Sequence, residues 1–455
     1  METYVRRTQI GAPAEEVFRW HARPGAFERL TPPWEPVELV ARQGGLEDGA
    51  LVVLRMGMGP ISQSWVARHS DYVEGRQFRD TQVAGPFTHW AHTHRFAPDG
   101  PSACSLEDHI EYTLPLGILG QLGDSFVRQK LDRMFTYRHR ITSDDIAAHA
   151  RYTGKPMNIL VSGTNGLIGR ALVSFLTTGG HNVTGLVRSQ PRAESHDILW
   201  NPQQGITDAA RLEGFDAVVH LAGENVVGRW TAEKRARIRG SRVTGTRLLC
   251  EALARLSSPP KVVVSASAIG YYGNRNEEML NEDSGAGHGF LPEVCHAWEE
   301  ATRPAAEQGI RVVTARIGIV LSPSGGALAK MLLPFRLGVG GMVGTGEQYM
   351  SWVTLDDTIG AIHHALITDS IQGPLNITAP RPVTNSEFTA TLGRVLGRPT
   401  FVPLPAAVAR LTMGEMADEL LLSSTRVLPQ KLEDTYYPFR HPDLEGALRH
   451  VLGKV

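Results

Sequence analysis

Three glycines in "VSGTNGLIGRAL", Gly163, Gly166 and Gly169, recur every third residue between an apolar run and a helical one. Gly163 permits a tight turn out of a strand, Gly166 lets the backbone approach a pyrophosphate, and Gly169 lets a helix pack closely on a sheet. The phosphates would rest on the helix N-terminus, where N–H groups without intrahelical partners favour negative charge. A strand before the loop and a helix after it are the context this motif needs. Thr164, Asn165, Leu167 and Ile168 complete the expected cofactor loop. Leu221, Ala222 and Gly223 in "VVHLAGENV", with Ser265 on the next strand, extend it. At the end of the second strand, "NVTGLVRSQPR" offers Arg188 and Arg192 where a carboxylate would select NAD. A guanidinium there suits a 2′-phosphate, so the expected cofactor is NADP ahead of NAD. Cys295 and Glu299 stand four residues apart, on one face of a predicted helix. A thiol or carboxylate can serve as an acid or base if burial shifts its pKa. Arg316 ends the strand "RVVTARIG", the side where such sheets bind substrates, and is expected to hold an anionic group.

The elements that must position these residues begin at a seam near residue 155. A polar helical tail ends there, and a Gly-Lys-Pro turn precedes the apolar strand "MNILVSG". After the seam, apolar strands alternate with helices ("NVTGLVRS", "DAVVHLAG", "KVVVSASA", "IRVVTARIGIVL"), which predicts a doubly wound parallel sheet covered on both faces. Before it, a strand from Tyr4 to Ile10, a short helix and several alternating strands lead to a long helix from about Leu116 to Ile141. That order predicts an α+β domain, an antiparallel sheet wrapped on one helix. In "HWAHTHRF", His92 and His94 share a strand face and could ligate a metal. Only Asp108 stands near as a third ligand, and no metal site is expected.

Composition narrows the function. The 455 residues carry a net charge of −1, with 42% hydrophobic and 20% charged residues. There is no global field to attract nucleic acid or an anionic membrane, and no reader motif. Cys104, Cys250 and Cys295 form no CxxC spacing, which suits a reducing compartment. No apolar run approaches the ~20 residues of a membrane span, and the N-terminus lacks a signal-peptide core. A cytoplasmic protein with a small-molecule partner is expected.

The glycine spacing, "HLAG", "VSASAIGYYG", "ARIGIVLSPSGGAL" and "SWVTLDD" resemble the extended short-chain dehydrogenase/reductase superfamily, which includes nucleotide-sugar epimerases. Over residues 157–455, "HLAGENV", "VCHAWEEA", "GPLNITAP", "GEMADELLLSS" and "FRHPDLEGAL" resemble an atypical branch labelled epimerase-family protein or cell-division inhibitor. Residues 1–152 resemble the SRPBCC, or START-like, ligand-binding superfamily through "PAEEVFRWHARPGAFERLTPPW", "FTHWAHTHRFAP" and "LEDHIEYTLPLG". That resemblance implies a helix-grip domain with a cavity for an apolar small molecule. The implied organisation is 1–152, a Rossmann domain at 157–404 and a helical module at 405–455.

Active members of the superfamily pair a serine with Tyr-x-x-x-Lys. Ser267 matches the serine. The lysines are Lys130, Lys155, Lys234, Lys261, Lys330, Lys431 and Lys454, and the residues four before them are Phe126, Arg151, Trp230, Ser257, Gly326, Val427 and His450. None is tyrosine, so the pair is absent. Cys295 and Glu299 fall within a residue or two of its place, and Tyr272 offers a phenol near the substrate. These residues point to an NADP-dependent oxidoreductase or epimerase-like enzyme with a non-standard acid/base. The rival is a non-catalytic NADP(H)-binding sensor or regulatory protein.

Overall fold

The computed structural model describes residues 1–58, 61–115, 123–191, 195–206 and 208–454. The chain forms two compact units. One comprises Met1–Gly154 with Thr177–Gly180 and Leu452–Val455, the other Lys155–Leu176 and His181–Val451.

The first unit is an antiparallel sheet and a long helix. Its strands are β1 (Glu2–Ile10), β2 (Val37–Gln43), β3 (Leu51–Met58), β4 (Ile61–Val73), β5 (Gln77–Ala84), β6 (His89–Pro98) and β7 (Cys104–Thr113). They lie in the order β1-β7-β6-β5-β4-β3-β2. Register shifts between Leu39 and Ala41, Val66 and Ala67, and Ser70 and Val73 put bulges into the sheet, which bend its strands. Helices α1 (Ala14–Ala22) and α2 (Ala26–Leu30) follow β1. The long helix α3 spans Asp124–His149. It continues past the expected end at Ile141, while residues 116–122 of the expected helix lie outside the described residues. Its buried Leu131, Phe135, His139, Thr142, Asp145 and Ile146 recur at helical spacing. Phe18, Trp20, Phe96, Leu106 and Ile141 form the main apolar core. This is a START-like arrangement, as the sequence predicts.

The second unit is built on a parallel sheet of β8 (Asn158–Ser162), β9 (Asn182–Val187), β10 (Ile198–Leu199), β11 (Ala217–His220), β12 (Val262–Ala268), β13 (Arg311–Ile317) and β14 (Gly373–Ile377). The order is β10-β9-β8-β11-β12-β13-β14, every pair parallel. The strand order reverses between β8 and β11, which makes their C-terminal ends the switch point of a Rossmann-type sheet. Helix α4 (Leu167–Thr178) follows β8, α5 (Ala232–Ala254) follows β11, and α6 (Phe290–Glu300) lies between β12 and β13. Ile159, Val161, Val218, Val219, Val263 and Val264 are sealed from solvent, as both faces of such a sheet require. The C-terminal segment is woven into this unit, because Arg426–Val427 pairs in parallel with Met279–Leu280. No helix among the described residues is long and apolar enough to cross a membrane.

Candidate functional site

The glycine loop sits at the switch point, and its three glycines do different work. Gly163 adopts a φ of +75°, and a Cβ there would lie 2.9 Å from the Leu221 carbonyl carbon and 3.0 Å from the Ala222 nitrogen. The turn therefore depends on close backbone contact between the ends of β8 and β11. A Cβ on Gly169 would meet the Gly163 oxygen at 2.1 Å, so α4 can start only with glycine there. A Cβ on Gly166 would touch only the Gly163 oxygen, at 3.2 Å. Its other side is open, a cradle that a side chain would fill and that a phosphate can occupy instead. Beneath the loop, Ser162 Oγ lies 2.7 Å from His220 Nδ1 and accepts the Leu221 and Ala222 N–H groups at 3.1 and 3.2 Å. Burial pulls His220 down to about 4, so the ring is neutral and the Ser162 hydroxyl can donate to it. Ser162, His220, Ser265 and Thr314 are in register across four strands. Ser265 is sealed within that row.

Two residues toward the same edge is a second row. Ser267, Arg316 and Asn376 are in register on β12, β13 and β14. Helix α6 lowers Glu299 onto this row. Ser267 donates to Glu299 Oε1 at 2.7 Å. Arg316 donates to both carboxylate oxygens at 2.8 Å and to the Tyr272 hydroxyl at 2.9 Å. The Arg316 guanidinium also lies 3.5 Å from the centre of the Tyr271 ring, a cation–π contact. Tyr272 in turn donates toward Asn376 Oδ1, 2.8 Å away, and the Asn281 carbonyl, 2.9 Å away.

The other expected site residues lie in this network or beside it. Arg316 is buried and turns its guanidinium to Glu299 and Tyr272. Tyr272 is fully buried, and burial pushes its phenol up to about 12. Its hydroxyl is bonded within the row, and the half-buried Tyr271 lies nearer the surface. Cys295 is buried beside Gly270, and desolvation pushes its thiol up to about 12. The thiol is held protonated there.

Sequence reasoning missed the groups that hold α6 and the second row in place. Glu419 accepts from the N–H groups of Phe290 and Leu291 at 3.2 and 3.3 Å, capping α6, whose own N-cap Gly289 has no side chain. A carboxylate at a helix N-terminus also complements the dipole. Glu419→Ala is therefore expected to cost the second unit about 1 kcal/mol, read as a lower urea midpoint; an unchanged midpoint would show that the cap contributes nothing. Glu282 Oε1 accepts from the Asn376 and Lys431 N–H groups at 3.0 and 3.2 Å, and burial raises its pKa. A lone glutamate in "LNEDSG" gives no local sign of such a role.

Comparison with known proteins agrees with the fold of each unit. Residues 159–377 match the NAD dependent epimerase/dehydratase family, residues 404–451 a domain of unknown function, DUF1731, and residues 10–135 the polyketide cyclase/dehydrase and lipid transport family. The chain is similar to epimerase family protein Mb2239 of Mycobacterium bovis, with 43% identity over 64% of this chain and 97% of that one. It is also similar to the crystal structure of a nucleoside-diphosphate sugar epimerase from Corynebacterium glutamicum, with 33% identity and a TM-score of 0.81, covering 99% of this chain and 90% of that one. Human epimerase family protein SDR39U1, solved with NADPH, is 35% identical at a TM-score of 0.61, covering 66% of this chain and 100% of that one.

The expected ranking of NADP above NAD is corrected by these structures. MoeE5, 22% identical at a TM-score of 0.52 over 65% of this chain and 97% of its own, shares the fold and holds NAD. So does a UDP-glucuronic acid 4-epimerase from Bacillus cereus, 19% identical at 0.53 over 65% and 99%. The fold accommodates both dinucleotides. Arg188, on which the ranking rested, is exposed just past β9 and within electrostatic reach of Glu224. Arg192 lies outside the described residues.

Proposed function

Because the chain belongs to the epimerase family, we propose that it is an NAD(P)-dependent oxidoreductase or epimerase-like enzyme acting on a small molecule, with an atypical active site. The observation that carries this reading is the Ser267–Glu299–Arg316 constellation at the C-terminal edge of the sheet, two strands from the glycine loop. Gly163, Gly166, Gly169 and the start of α4 would hold the pyrophosphate, with Thr164, Asn165, Leu167 and Ile168 in the same loop and Leu221 to Gly223 beside it. A bound nicotinamide supplies the hydride acceptor or donor.

Ser267 has already committed its proton to Glu299. Its remaining lone pairs then face the reacting group as acceptors, so the group it holds is a hydroxyl. A substrate proton passing to Ser267 Oγ would move the serine proton on to Glu299. Arg316 keeps the carboxylate aligned for that relay. Cys295 packs beneath Gly270. The nucleoside-diphosphate sugar epimerase among the similar structures supports a phosphorylated sugar as the first substrate class to try.

The test is turnover of NAD or NADP with a panel of nucleoside-diphosphate sugars, followed by product analysis. Ser267→Ala is expected to lower kcat by about 10²-fold or more, with dinucleotide affinity unchanged. Equal rates in the two proteins would remove Ser267 from the mechanism.

One observation favours the second reading, a non-catalytic NAD(P)(H)-binding protein. Both oxygens of Glu299 are taken by Arg316, so a proton arriving there must displace a charge-assisted hydrogen bond. Dinucleotide binding without turnover of any substrate in the panel would select this reading.

A further inference from the structure

The centre of the first unit is polar where an apolar lining is expected. Between the sheet and α3 lie Asp80, His92, His94, Asp108 and His139, with side chains 18%, 4%, 11%, 5% and 3% exposed. Strand register assembles them. Asp80 on β5 is opposite His92 on β6, and His94 on β6 is opposite Asp108 on β7. Asp108 is the hub. His92 Nε2 lies 2.7 Å from Asp108 Oδ1, and His139 Nε2 lies 2.5 Å from its Oδ2. A carboxylate only accepts, so both ring nitrogens carry protons.

That arrangement fixes what the other side of His92 presents. His92 Nδ1 lies 3.1 Å from Asp80 Oδ2. His94 Nε2 approaches the same oxygen at 3.6 Å. Burial works against a charged ring there, but the Asp80 and Asp108 carboxylates raise the His92 pKa to about 9, so the place between the two carboxylates holds positive charge and a metal ion would take the place of the Nδ1 proton. Two nitrogens and a carboxylate oxygen thus converge, with their ligand atoms within 4.8 Å of one another. Neighbouring ligands of one ion, each about 2.0–2.2 Å from it, stand about 3–3.6 Å apart. The second carboxylate completes the pattern, since a metal-bound histidine commonly gives its other N–H to one. His94 Nδ1 also lies 2.6 Å from Asp108, outside hydrogen-bonding geometry.

We propose that Asp80, His92 and His94 form a binding site for a divalent transition-metal ion of the zinc or iron(II) class. Two imidazoles and one carboxylate suit these ions better than calcium or magnesium, which take oxygen donors. Three protein ligands leave a coordination position open, as in reactive rather than purely structural sites. The site lies in the START-like unit and is independent of the dinucleotide proposal.

The experiment uses the full chain, stripped with chelator and titrated with Zn2+ by calorimetry and with Co2+ by visible absorption. One equivalent is expected, with a cobalt spectrum of mixed nitrogen and oxygen ligation. Asp80→Asn and His92→Gln are expected to weaken Co2+ binding more than tenfold and to change that spectrum, with far-ultraviolet circular dichroism confirming the fold. Binding unchanged in both variants would place the ion elsewhere, for instance at the Asp356, His441 and His450 group, and overturn the proposal. Wild-type protein that binds neither ion below about 100 μM would overturn it without reference to any variant, leaving protons as the charge that holds the cluster.

Discussion

Arg316→Met is expected to destabilise the second unit by about 3–5 kcal/mol, the cost of removing one partner from a buried ion pair. The Arg316 side chain is 3% exposed and that of Glu299 is 12% exposed. Methionine fills much of the same volume but leaves the carboxylate without its two charge-assisted bonds and Tyr272 without its donor. Urea unfolding of the full chain would show the effect in the transition of the second unit, since a chain of two units need not unfold in one step. Adding Glu299→Leu to Arg316→Met should recover part of the loss, because the uncompensated charge is then gone. The two changes should couple by about 0.5–3 kcal/mol in a double-mutant cycle. A single-variant loss below about 1 kcal/mol would mean that water already screens the pair, and the constellation would lose its claim to be preorganised.

The same pair shows where the sequence was legible and where it was not. The glycine loop could be read because its requirements are local: a positive φ, a close approach and a helix start within seven residues. The alternation of strand and helix gave the Rossmann sheet for a similar reason, since periodicity is a property of short windows. Glu299 and Arg316 both stand out in the sequence, but with separate roles. Their pairing depends on how α6 lies over β12 and β13, and no spacing along the chain encodes that. Arg316 ends a strand at the binding edge, where a substrate contact is expected; only the structure shows its bidentate bond to Glu299. The His–Asp cluster was half legible. His92 and His94 share a face by the period of a strand, and Asp108 was within view. Asp80 faces His92 through the register of β5 against β6, and His139 comes from a helix some thirty residues beyond Asp108. The apolar lining implied by family resemblance gave no warning of a buried and a half-buried carboxylate.

The contrast between Gly166 and Gly169 separates binding from folding within one loop. Gly169→Ala must move the Gly163 carbonyl out of a 2.1 Å overlap, and backbone on both sides of the contact leaves little room to yield. It is expected to cost about 1–3 kcal/mol or more as overpacking and to lose dinucleotide binding through a deformed turn. Gly166→Ala meets only one atom, at 3.2 Å, which a shift of a few tenths of an ångström relieves. Its fold should survive nearly intact. The new methyl group would nevertheless stand where the pyrophosphate approaches the backbone, and binding of NAD and NADP alike should fall at least tenfold, about 1.4 kcal/mol. Calorimetry with each nucleotide, beside a urea midpoint for each variant, tests both halves. If Gly166→Ala binds both nucleotides as the wild type does, the loop does not cradle a pyrophosphate, whatever its resemblance to loops that do. If it loses stability as Gly169→Ala does, the open side of Gly166 is not open, and the loss of binding would say nothing about the phosphate. Only loss of both nucleotides with stability retained assigns the missing side chain of Gly166 to the ligand.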